Sequence, residues 1–182
     1  MRSLPVVSRS QKKRFWVFMA LTVVGYFLIR LVSENLPGKT IIDFELAKTV
    51  ERATQLMQEW GSEGRRLFLN SIYADFFFLV AYAGALFYGC RVTGSFSGHP
   101  IFEKAGNIFS FLALLAAVCD VLENTGMLIT IKNTPRSWIV HFTYDMAFVK
   151  FSLLFICILF VVVCLLFRAI DLLNGGKKGF TL

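Results

Sequence analysis

Asp120, Glu123 and Asn124 lie in an apolar run from about Ala105 to Ile131, which is long enough to cross a bilayer. Their i, i+3, i+4 spacing puts two carboxyls and an amide on one helix face. An acid near the middle of a bilayer costs roughly 2.5–3.5 kcal/mol on insertion scales, so such a face needs a cation, a proton or a partner. Two further apolar runs carry ionisable groups: Asp75 with Tyr82 in one, and His141, Asp145 and Lys150 in another. Depth follows from about 1.5 Å of rise per residue, with the centre of each run taken as the midplane. Asp120 and Lys150 then lie about 3 Å toward the outer side, Asp75 about 4–5 Å and Glu123 about 7 Å. Asp145 comes out near 10 Å, and His141 close to the outer interface. Three acids and one lysine from three helices thus share a layer.

One lysine cannot neutralise three carboxylates, so an acid is protonated, a cation binds, or Arg30 or water reaches the layer. The chemistry open to such a layer is to carry a proton, bind a cation, or hold the polar group of a small amphiphile. A carboxyl kept protonated by apolar surroundings can also act as a general acid or base in a membrane enzyme of isomerase or hydrolase type. The same residues can instead be interhelical glue, with a Lys150–Asp120 or Lys150–Asp75 pair locking the register. Tyr82 and Tyr144 are either hydrogen-bond donors to the acids or ordinary packing aromatics. His141 and Asp145, at i, i+4, have a spacing that allows two metal ligands. A third would have to come from Glu123 or another span, and an interfacial histidine at a helix start is the commoner arrangement. No P-loop, G-x-S-x-G, H-E-x-x-H or haem motif is present, so no cofactor is expected.

The composition explains why these groups are inside a membrane. Of 182 residues, 56% are hydrophobic and 17% charged, with a mean hydropathy of +0.63. A soluble domain is roughly 45–50% apolar and about 25% charged. The net charge of +7 is concentrated in the N-terminal tail and the C-terminal end, which suits membrane orientation and anionic headgroups rather than nucleic acid. Cys90, Cys119, Cys157 and Cys164 form no C-x-x-C pair and lie in or beside apolar runs, so they read as small buried hydrophobes.

The predicted architecture is all-α, with four transmembrane helices at about 15–32, 67–90, 105–131 and 138–167 in one domain, 15–168. A basic cytoplasmic tail (1–14) precedes it and a basic Gly-rich tail (169–182) follows. The first run is too long for a signal-peptide core and lacks a small-x-small cleavage site, so it is read as a retained span. Phe15 and Trp16 anchor it, and Arg30 can snorkel outward. Ser33 to Gly38 breaks the helix with Pro-Gly chemistry. Between spans one and two, Leu46, Val50, Ala53, Met57 and Trp60 recur at helical spacing, predicting an amphipathic helix at about 43–60. Thr40 or Asp43 would start it and Gly61 end it. Glu45, Lys48, Glu51, Arg52 and Glu59 would form its polar face. It would lie on the membrane surface, roof the bundle, or act as a lid over a cavity.

Orientation follows from the cationic residues outside the spans. Arg2, Arg9, Lys12, Lys13, Arg14, Arg91, Lys104, Arg168, Lys177 and Lys178 fall on one side, ten in all. Seven fall on the other, five of them mixed with six acids between Glu34 and Arg66. This predicts a multi-pass cell-membrane protein with both termini inside. The expected partners are the lipid bilayer, a small amphiphile or cation, and an oligomeric or protein partner, with no nucleic acid.

The chain resembles a group of small bacterial four-helix membrane proteins without an assigned function. The residues that carry the likeness are Phe44-Glu45-Leu46-Ala47 leading to Trp60-Gly61, Asp75-Phe76 with Tyr82, Asp120-Val121-Leu122-Glu123-Asn124, and Lys150-Phe151. The resemblance implies a bacterial inner-membrane protein in which the acids and Lys150 belong together, and it implies no chemistry. A looser, architectural likeness is to the EXPERA family of sterol isomerases and ligand-binding membrane proteins, which have four core helices and intramembrane acids. Their acidic motif does not align here, so no site is carried over. A cavity lined by Asp120 and Glu123 would favour a binding protein or an enzyme, whereas a dry, fully paired cluster would favour an assembly subunit.

Overall fold

A computed structural model describes residues 7–33 and 41–173. The Pro37-Gly38 break, Thr40, and most of the C-terminal tail lie outside the described residues, as does Arg2. The elements are α1 (Arg9–Ser33), α2 (Ile41–Glu45), α3 (Val50–Phe96), α4 (Pro100–Lys132) and α5 (Ser137–Leu173). The described residues contain no strand, and α1, α3, α4 and α5 are each long and apolar enough to cross a membrane. The protein is an all-α polytopic membrane protein.

Neighbouring spans run antiparallel, and small residues set their closest approaches. Gly89, Gly84 and Gly25 seat α1 on α3 against Phe15, Phe18 and Phe78. At the α3–α4 crossing, a Cβ on Gly94 would lie 2.6 Å from the Phe102 carbonyl oxygen, and one on Gly106 2.6 Å from that of Cys90. Backbones can meet this closely only where side chains are missing, which is how membrane helices gain packing without a hydrophobic driving force. Further along, Gly126 of α4 receives Thr143 of α5. The inward stripe of α4 continues through Ser110, Ala113, Ala116, Cys119, Asp120, Glu123, Asn124 and Met127, at spacings that keep one face turned to the bundle. That stripe carries both acids inward. All four cysteines are free and buried.

The segment between the first two spans differs from the sequence expectation. The helix predicted at 43–60 is two pieces. α2 ends at Glu45, residues 46–49 are not helical, and α3 starts at Val50 with Thr49 as N-cap, its side chain accepting from the Arg52 N–H at 3.3 Å. The break uncouples the phase of residues 41–46 from that of 50–60. Leu46, assigned to the apolar face, is therefore 44% exposed, while Glu45, assigned to the polar face, is 6% exposed. Within α3 the amphipathic stretch turns into the second span at Gly61, whose φ of 62° and ψ of −163° lie in a region almost confined to glycine. Arg65 Nε donates to the Met57 carbonyl at 2.9 Å, satisfying a group freed by this kink. Phe44, Trp60 and Phe68 pack ring on ring, with centroids 4.6–5.5 Å apart, and hold α2 over this end of the bundle.

Candidate functional site

Helix phase brings four elements to one point. α5 buries Thr143, Ala147 and Lys150, a 4, 3 spacing that turns the lysine inward. Its ammonium meets Glu123 Oε2 at 2.7 Å, Asp120 Oδ1 at 3.2 Å and Glu45 Oε2 at 3.6 Å. Tyr82 of α3 donates its hydroxyl to Asp120 Oδ2 at 2.6 Å, so both oxygens of Asp120 are engaged. Asn124 Nδ2 donates to Asp75 Oδ2 at 2.7 Å. Lys150 thus pairs with Asp120 and not with Asp75, which makes no ion pair among the described residues.

The cluster is dry on one side and open on the other. Glu123 is fully buried, and Asp120 and Lys150 are 2% and 4% exposed. Both carboxyl oxygens of Glu123, Asn124 Oδ1 and Glu45 Oε2 have no hydrogen-bond partner among the described residues, although Glu123 Oε2 lies within ion-pair distance of Lys150. Asp75 is half-buried and faces a cleft of about 1210 Å³ that Glu45, Tyr82, Asp120 and Lys150 also line. The cleft is bounded by α1 (Trp16, Met19, Thr22, Tyr26, Ile29), α3 (Phe78, Leu86, Val92, Phe96) and α5 (Phe151, Leu154, Ile158, Leu165). α1 packs along α3 and makes no extended packing against α4 or α5, so the groove runs lengthwise between α1 and α5. Its polar groups gather toward the end that α2 covers, where Arg30 and Ser33 also border it. From Lys150 to Leu165 the α5 wall carries no ionisable side chain over about 22 Å of helix rise.

Of the residues expected at this site, Asp75, Tyr82, Asp120, Glu123, Asn124 and Lys150 come together. Asp120 lines the cleft, whereas Glu123 stands behind it. Asp145 and His141 do not join them: both are exposed, on a face of α5 about 140° from Lys150 in the case of Asp145. Asp145 is therefore corrected as a site candidate, and the pair is corrected as metal ligands. Among the described residues no set of three His, Cys, Asp or Glu is placed to hold a metal ion. Tyr144 lies under Lys48 Nζ, 5.5 Å from the ring centre, and makes no hydrogen bond to the acids. Arg30 donates to Tyr26 at 3.4 Å and stays exposed at the cleft edge.

Glu45 was missed as a member of the cluster because its helical spacing with the residues after it assigned it to solvent. The signal that could have found it is the apolar company of Ile41, Ile42 and Phe44. Burial pushes the Glu45 carboxyl above the usual carboxylate range; Lys150 opposes this and Asp120 adds to it.

Comparison with protein-family models, with curated proteins and with solved structures finds no match to this chain.

Proposed function

We propose that the protein binds a single-chain amphiphile with a cationic head, which enters laterally from lipid between α1 and α5. The observation that carries this reading is the apolar cleft ending at Asp75, Asp120, Tyr82 and Lys150. A chain moving from lipid into an apolar groove gains little, because lipid tails are as apolar as the groove wall. Selection then rests on the head. Four acids around one lysine favour a positive head, and Asp75 is the acid on the cleft wall that lacks a cation. Placement in a bacterial inner membrane with both termini inside, and membership of the small four-helix group, belong to the same proposal.

The test is photo-crosslinking in phosphatidylcholine nanodiscs with hexadecyltrimethylammonium carrying a mid-chain diazirine, alongside the corresponding alcohol. The ammonium probe is expected to label α5 between Leu154 and Leu165 and α1 near Met19. Asp75→Asn should lower that labelling about tenfold while leaving the alcohol's unchanged. Labelling spread equally over the lipid-facing side of α4, at Ile108, Phe111 and Leu115, would sink the reading.

A second reading, a membrane enzyme using Asp120 as acid or base, draws on the Tyr82–Asp120–Lys150 hydrogen-bonded chain at the cleft wall. It differs in requiring a bound amphiphile to leave chemically altered, which mass spectrometry of the recovered probe detects.

A further inference from the structure

Resting on the cationic-amphiphile reading, we infer that binding is coupled to release of one proton, and that Glu45 is the group that gives it up. The acids differ in how well their negative charge is supported. Glu123 has Lys150 at 2.7 Å, and Asp120 has Lys150 at 3.2 Å with Tyr82 at 2.6 Å on its other oxygen. Asp75 has the Asn124 amide and the cleft. Glu45 has the longest approach to the same lysine, 3.6 Å, with the Glu123 carboxyl beside it, and its side chain is 8% exposed. One ammonium shared by three carboxylates leaves the most distant as the one that keeps a proton.

The groups facing Glu45 are Lys150 of α5, Asp120 and Glu123 of α4, and Asp75 of α3, with Arg30 of α1 also lining the cleft. Burial and the Asp120 charge discourage a negative charge at Glu45, while Lys150 and a hydrogen bond with Glu123 oppose them. A cation docked on Asp75 and Asp120 offsets those charges, and the reason for Glu45 to stay protonated disappears. The bond that breaks is Glu45 O–H. The proton passes to water along the cleft, which Glu45 lines and which Arg30 and Ser33 border toward the end that α2 covers. No other bond changes and no oxidant or reductant is involved. Glu45 also ties the linker to the cluster, with Phe44 beside it packed against both Trp60 and Phe68, so the proton site is fixed relative to the cleft.

The experiment is isothermal titration of the full chain in phosphatidylcholine nanodiscs with hexadecyltrimethylammonium, whose charge is the same at every pH. Two buffers of different ionisation enthalpy give the number of protons released. The parent is expected to release close to one proton per ligand just above the ordinary carboxylate range, with affinity rising up to tenfold per pH unit there. Glu45→Gln, which keeps the shape of the protonated acid, should bind without releasing a proton, Glu45→Asp should restore the release, and Glu123→Gln, which frees Lys150 of one competing carboxylate, should move the release to lower pH without abolishing it. Binding with no proton release by the parent, or release that survives in Glu45→Gln, overturns the coupling while leaving the amphiphile reading standing. No binding by the parent overturns both.

Discussion

Lys150 is where stability and function of the polar cluster meet. Its ammonium contacts three carboxyls at 5% side-chain exposure, so removing it strands several charges where water is scarce. Breaking a buried ion pair by deleting one partner costs about 3–5 kcal/mol. Lys150→Met, close in volume, is therefore expected to be the most destabilising single change in the cluster, by about that amount. Tyr82→Phe removes one hydrogen bond to a charged group and should cost about 1.5–3 kcal/mol. Unfolding of both variants in mixed detergent micelles measures the order. A Lys150→Met protein as stable as the parent would mean that the acids are neutral and the ion pairs carry no weight. The convergence of Asp75, Asp120, Glu123 and Lys150 was legible in the sequence, because rise per residue fixes depth along any span. Their pairings were not: depth says which groups share a layer, but not which side of each helix turns toward which neighbour. Asp145 shows the same limit, sharing a span with Lys150 yet facing outward.

The helices themselves were written in the apolar runs, and the amphipathic stretch before the second span was written in its periodicity. The place where that stretch begins was not. Residues 46–49 interrupt the helix without a Pro or Gly to announce it, and a pattern read through the interruption carried Glu45 to the wrong face. Gly61 is the opposite case, a break that the residue type does announce. Its backbone is at φ 62°, ψ −163°, and no heavy atom lies within 4 Å of the position a Cβ would take. Any penalty for a side chain there is thus conformational rather than steric. Gly61→Ala is expected to destabilise by about 1–3 kcal/mol, the usual cost of forcing a residue into a sparsely populated region. The strain would fall on the joint between the amphipathic stretch and the second span, loosening the Phe44–Trp60–Phe68 stack, which near-ultraviolet circular dichroism reports. An unchanged unfolding midpoint for Gly61→Ala would show that the kink relaxes into ordinary helix without consequence.

At the scale of the whole molecule, the polar cluster sits toward the end of the bundle that carries α2 and the α4–α5 turn, while the described termini lie at the other end. The orientation of the bundle therefore decides from which aqueous side Glu45 exchanges its proton. The cationic residues at the terminal end include Arg9, Lys12, Lys13, Arg14, Arg91, Lys104 and Arg168, with few acids among them. Those at the other end are interleaved with Asp43, Glu45, Glu51, Glu59 and Glu63. Positive charge near span ends is retained inside, so the terminal end should face the cytoplasm and the proton of Glu45 should exchange with the outer side. Because the native cysteines are all buried, introduced ones can be read against a low background. Arg136→Cys, in the α4–α5 turn, is expected to react with a membrane-impermeant maleimide in intact cells, whereas Lys104→Cys should react only after the membrane is opened. The reverse pattern would put the cluster near the cytoplasmic face. It would leave the cleft and its charges as they are, and change the side from which a proton-coupled ligand exchange draws its driving force.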